Sequence, residues 1–174
     1  LNKREIDKIF TASRSFDELF DAFDEAVNQK IADENLYKIL LANSALSNDE
    51  IKLFAKKLSE EFPDLSYPIL LWCGDIFANK SWSIENINAA IECFENASRV
   101  KPDENIPILK MIALYNHDIS LPFNEKIIKN VKTGLPKIEN KSAVYSAIAD
   151  FYSKEGKERL KRKYQRMAEK YKEG

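Results

Sequence analysis

The chain has 174 residues, 44% hydrophobic and 32% charged, with a formal net charge of −1. That length supports one domain with a core that needs no disulfide or metal staple, and the apolar content excludes a disordered chain. No stretch approaches the roughly eighteen apolar residues of a membrane span, and no basic flank precedes a short apolar segment near the start, so neither a span nor a signal peptide is predicted.

In chain order, apolar residues spaced three and four apart predict helices over about 3–11, 16–30, 34–44, 48–61, 67–79, 84–100, 104–117, 123–134, 141–154 and 157–171. Ser15 to Glu18 and Ser47 to Glu50 have capping-box spacing, and Ser66, Ser83, Asp103 and Asn140 precede other periodic segments as expected caps. Pro63, Pro102, Pro122 and Pro136 fall between the helices as breakers. The apolar run Tyr67 to Trp72 is read as buried helix because its spacing continues to Cys73, Ile76 and Phe77. No strand is expected.

Ala90, Phe94, Ala97 and Pro102 form a spaced quartet in which two small residues admit a neighbouring helix and the proline marks the exit. Fainter copies stand at Leu19, Phe23, Ala26 and Ile31, at Ile51, Ala55, Leu58 and Pro63, and at Asn124, Ile128, Val131 and Pro136. With Leu70, Cys73, Gly74 and Phe77 upstream, the stretch from Leu70 to Pro102 resembles a tetratricopeptide repeat. It departs from that pattern in the turn Asn79 to Ser83, which makes the unit about four residues too long. Ile108, Met111, Ile112 and Tyr115, and then Tyr145, Ile148, Ala149 and Tyr152, fit later first-helix positions, while Tyr164 and Ala168 match imperfectly.

The resemblance implies an all-α protein, a right-handed α-α superhelix of about five antiparallel helix pairs, in one domain over 1–174 with units near 1–32, 33–64, 65–102, 103–138 and 139–174. It also implies a concave groove lined by first helices, in which Gly74 and Ala97 serve packing. Matching positions make Leu71, Asp75, Leu109, Ala113 and Asn116 the groove candidates. Relatives that grip a C-terminal carboxylate place Lys and Asn at such positions, so a carboxylate clamp is disfavoured and an apolar or amphipathic peptide is the expected ligand.

Trp72 is expected in the core with its indole N–H on a backbone carbonyl, and Trp82, in the polar turn, is a candidate rim contact. Cys73 and Cys93 read as buried, inert thiols, although a bridge across one hairpin is open to them. His117, the single histidine, reads as a structural residue near a helix end. Asp17 with Asp21, Asp21 with Glu25, and Glu60 beside Glu61 read as solvated faces. No phosphate loop, nucleophile elbow or metal-ligand spacing occurs, so neither enzymatic activity nor a cofactor or metal is expected.

Residues 154–174 carry nine Lys or Arg and four Glu, leaving a balance of −6 for the remainder. The last helix therefore reads as a polar cap on the stack. The expected function is a protein-interaction scaffold that holds a protein or peptide partner. An intramolecular architectural role comes second, and nucleic-acid binding through the basic end ranks last. Because the chain begins at Leu1 rather than methionine, it is expected to be part of a longer polypeptide; its compartment is open, with the cytoplasm favoured.

Overall fold

The computed structural model describes residues 1–172, which form ten α-helices with no strand among the described residues. They belong to two compact units, Leu1–Asn79 and Lys80–Gly174. The boundary falls within the segment expected as the third repeat.

The first unit holds α1 (Lys3–Ala12), α2 (Phe16–Asn28), α3 (Glu34–Leu41), α4 (Asn48–Glu61) and α5 (Ser66–Asn79). Helix α1 packs on α2 and α3, and α5 packs on α3 and α4. Phe54 of α4 is fully buried, with ring centroids 4.9 Å from Phe23 and 5.8 Å from Phe16. Burying a side chain of that size stabilises by about 1.5–3 kcal/mol. The indole of Trp72 donates to the Lys38 carbonyl at 3.0 Å, as its sequence context suggests, but the ring is only half-buried.

The local signals at Ser47 are realised in full, because its hydroxyl accepts from the Glu50 N–H while the Glu50 carboxylate takes the Ser47 N–H. At Ser15 only half the box forms. Its hydroxyl accepts from the Glu18 N–H, but the Glu18 carboxylate accepts the Ser13 hydroxyl instead. Ser66 corrects the expectation of a cap: the 3₁₀ turn Pro63–Leu65 runs straight into α5, and Ser66 is the buried first residue of that helix. Helix α3 stops at Leu41 rather than 44. Asn43, buried, donates to the carbonyls of Phe10 and Ser13 and accepts from the Ala45 N–H, so this amide claims backbone that a longer helix would use.

Helix α2 ends on a left-handed residue. Lys30 has φ 55°, its N–H bonds the Val27 carbonyl and the Ile31 N–H bonds the Ala26 carbonyl, which is the Schellman arrangement.

The second unit holds α6 (Ile84–Val100), α7 (Ile106–Ala113), α8 (Pro122–Gly134), α9 (Lys141–Lys154) and α10 (Glu158–Lys170). Helix α6 packs on α7 and α8, α7 on α8 and α9, and α9 on α10. Ala90, Phe94 and Ala97 are buried, the packing role their spacing implies. Ser83 caps α6 by accepting from the Asn86 N–H at 3.0 Å.

Helix α7 is much shorter than the expected 104–117. Asp103 is not its cap: Asn105 holds that position, and the Asp103 carbonyl, which Pro107 has no N–H to serve, accepts the Glu139 N–H, while Asn105 donates to the Asn140 carbonyl. The helix starts at Ile106 with Pro107 in its first turn, where the missing N–H costs no hydrogen bond. It ends at Ala113 because Leu114 and Tyr115 close tighter bonds to Met111 and Ile112. Asn140 stands at the N-cap position of α9 but makes no side-chain cap bond. Helix α9 closes on Gly156, at φ 70°, with the Lys157 N–H on the Tyr152 carbonyl.

Candidate interaction site

In the second unit, α7, α8, α9 and α10 surround an apolar cleft of about 120 Å³. Ile112, Ile127, Val131, Leu135, Ile148 and Phe151 form its walls. Ile127 and Ile148 are buried, whereas Val131, Leu135 and Phe151 are half-buried, so the cleft reaches the surface. Lys132 and the stacked rings of Tyr152 and Tyr164, with centroids 5.4 Å apart, complete the lining. Mostly apolar walls with a few polar groups are the usual composition of a binding pocket.

Beside this cleft, His117 Nδ1 lies 2.8 Å from Glu155 Oε1, forming an ion pair when the imidazole is protonated. The His117 ring stands 5.0 Å from Phe151 and 4.9 Å from Tyr115, centroid to centroid. Burial pushes the Tyr115 phenol up, and the Glu155 carboxylate adds to it. Tyr152 is raised for the same first reason, followed by the fields of Tyr164 and Glu155. The pair thus ties the segment after α7 to the end of α9 and holds Phe151 against the cleft. Its partners are packing rings and a carboxylate.

The groove candidates divide between the two units. Leu71 and Asp75 are half-buried on α5 of the first unit. Leu109, half-buried, and Ala113, exposed, lie on α7 of the second. Ile106, Leu109 and Ala113 share one side of α7 by their spacing, and Ile106 is 41% exposed. Asn116 lies beyond α7 and is engaged locally: its side chain accepts from the Asp118 and Ile119 N–H groups, and its backbone pairs with the Asn124 side chain.

Trp82 is 62% exposed, and Ile84 next to the cap is 46% exposed. The turn beneath them is held by Asn86, which donates to the Ser81 carbonyl at 2.8 Å. Cys73 and Cys93 are both buried.

Sequence reasoning missed the cleft, because Ile112, Val131 and Ile148 read as packing positions of separate helices and Leu135 as part of a helix break. It also missed Asn43 and Asn124, whose partners lie on other segments. Asn2 and Asp33 had a legible signal in their positions just ahead of apolar periodic runs, and each accepts a first-turn N–H of the helix it precedes.

Among the described residues, no helix is long and apolar enough to cross a membrane, and no group of three or more His, Cys, Asp or Glu could hold a metal ion. Compared with protein-family models, curated proteins and solved structures, the chain matches none. Its own geometry defines its class: helical throughout the described residues, with an apolar cleft in the second unit.

Proposed function

We propose that this chain is a non-enzymatic interaction module that holds an apolar or amphipathic segment of a protein partner. The right-handed superhelix of the tetratricopeptide class is the architecture this reading adopts. The observation that carries it is the surface-reaching cleft between α7, α8, α9 and α10, whose walls are aliphatic and aromatic. A volume of about 120 Å³ suits one large apolar side chain as an anchor, the kind of pocketed contact that dominates protein interfaces. The accessible side of α7, with Ile106, Leu109 and Ala113, offers apolar surface to the rest of such a segment.

The test compares affinity capture by the wild-type chain with capture by Val131→Phe, which fills the cleft, and by Leu109→Asp, which charges the α7 side. Melting curves establish that each variant folds. Loss of one partner with both variants at unchanged melting temperature is expected. Undiminished capture by folded Val131→Phe would remove the cleft from the interface, and unfolding by Leu109→Asp would make Leu109 a core residue.

A further inference from the structure

Helix α10 carries a basic stripe that the reading above does not use. Arg159, Arg162, Lys163, Arg166 and Lys170 are all exposed and recur three and four residues apart, which places them on one side of the helix. The other side packs inward: Ala168 is buried, its carbonyl accepts the Ser142 hydroxyl at 2.8 Å, and Tyr164 stacks on Tyr152. Glu158 and Glu169 flank the stripe, one turn from Arg162 and Arg166 respectively, so five cations meet two acids on this side. Lys163 leans over the Tyr164 ring, and no ion pair among the described residues engages any of the five. The charge is local to this end, because residues 80–153 carry nine cations and nine acids, whereas 154–174 carry nine and four.

We infer that this stripe docks on the phosphodiester backbone of a nucleic-acid duplex. From Arg159 to Lys170 the helix rises about 16 Å. One strand of a duplex places a phosphate every 3.4 Å or so along its axis, so about five phosphates span the same length as the five cations. Three of the five are arginines, whose planar forks match phosphate oxygens two at a time.

Competing polyanions fit less well. An acidic protein would meet exposed charges without an apolar centre, and such pairs contribute little individually. A polyphosphate instead releases condensed counterions, so the same exposed charges drive binding without a desolvated core. A membrane surface would favour an amphipathic helix with its apolar side free, but the apolar side of α10 is packed on α9. A single strand calls for a row of aromatic platforms, but Tyr164 is turned inward onto Tyr152 and Tyr171, 44% exposed, packs beside Tyr145.

Fluorescence anisotropy of the whole chain with a labelled DNA duplex and a labelled RNA duplex, across about 50 to 200 mM salt, tests this. Binding of either duplex, with log affinity falling against log salt at a slope of about −4, is the expected result, and the tighter arm identifies the nucleic acid. Arg159→Gln/Arg162→Gln/Arg166→Gln together should bring the slope to about −2 and abolish binding at the upper salt. Lys101→Gln/Lys129→Gln/Lys137→Gln, which removes equal charge elsewhere in the unit, should leave most of the affinity.

Equal weakening by the two triple variants would overturn the stripe in favour of net charge. No binding at the lowest salt, tighter binding of a single strand, or equal retention by phosphatidylserine vesicles or polyglutamate would overturn the duplex.

Discussion

The side chain of Asn124 and the backbone of Asn116 are joined in both directions: the Asn116 N–H donates to Asn124 Oδ1 at 3.1 Å, and Asn124 Nδ2 donates to the Asn116 carbonyl at 2.9 Å. Asn124 is buried near the start of α8, so this pair fixes the segment leaving α7. Asn124→Ala should destabilise the protein by about 1 kcal/mol, because it removes hydrogen bonds to the part-buried Asn116 backbone. Urea unfolding measures it, and an unchanged midpoint would show that water replaces the amide without penalty.

Lys30 predicts a gain. Its φ of 55° is a conformation that costs a residue with a side chain roughly 1–2 kcal/mol and glycine almost nothing. Its ion pair with Glu61 is exposed at 3.4 Å and worth little. Lys30→Gly should raise stability by about 0.5–1 kcal/mol once glycine's larger unfolded-state entropy is included. Lys30→Ala should not, and a thermal melt of both variants separates backbone from charge.

Ala97 is fully buried on α6. Ala97→Trp should cost about 1–3 kcal/mol or more by overpacking. An unchanged melting temperature would show that the contact can open without loss.

Asp33 gives an acid-side prediction. Its carboxylate is held below its ordinary pKa by the side-chain hydrogen bond from Lys3, and then by the N–H of Leu36 in the first turn of α3. A depressed carboxylate contributes stability above its unfolded value of about 3.9 and loses it as pH falls through the lower folded value. Stability should therefore drop below about pH 4. Asp33→Asn keeps a capping oxygen and should flatten that part of the drop, which urea midpoints at neutral and acid pH would show.

At the alkaline end the sign reverses. Burial, followed by the Asp33 carboxylate, raises the Tyr37 phenol, whose hydroxyl donates to the Ile31 carbonyl at 2.7 Å. That stability is complete below the unfolded value near 10 and declines above it. Tyr37→Phe should cost about 0.5–1.5 kcal/mol at neutral pH and soften the alkaline decline, readable by ultraviolet titration beside a melt.

Much of the helix order is readable locally. Apolar residues at three and four and a capping serine such as Ser47 or Ser83 act within one turn of chain, so α4 and α6 occur close to where periodicity puts them. The misplaced ends involve distant partners. Helix α3 stops early where Asn43 reaches the end of α1, and α7 starts late where Pro107 denies the Asp103 carbonyl an intrahelical donor and residues 139 and 140 take up Asp103 and Asn105. Of the candidate positions, Leu109 and Ala113 are on accessible surface, while Asn116 is occupied by local bonds that its residue type permits but does not specify.

The order of residues by itself settles that the chain is helical, where most helices begin, and that positive charge collects at its end, because propensity, capping and charge are properties of neighbours. Only the tertiary structure decides that Ile112, Val131, Ile148 and Phe151 leave a cleft instead of a closed core. The same holds for the side of α10 left to solvent. Both depend on which helix faces which, and that is set by the summed burial of residues far apart along the chain.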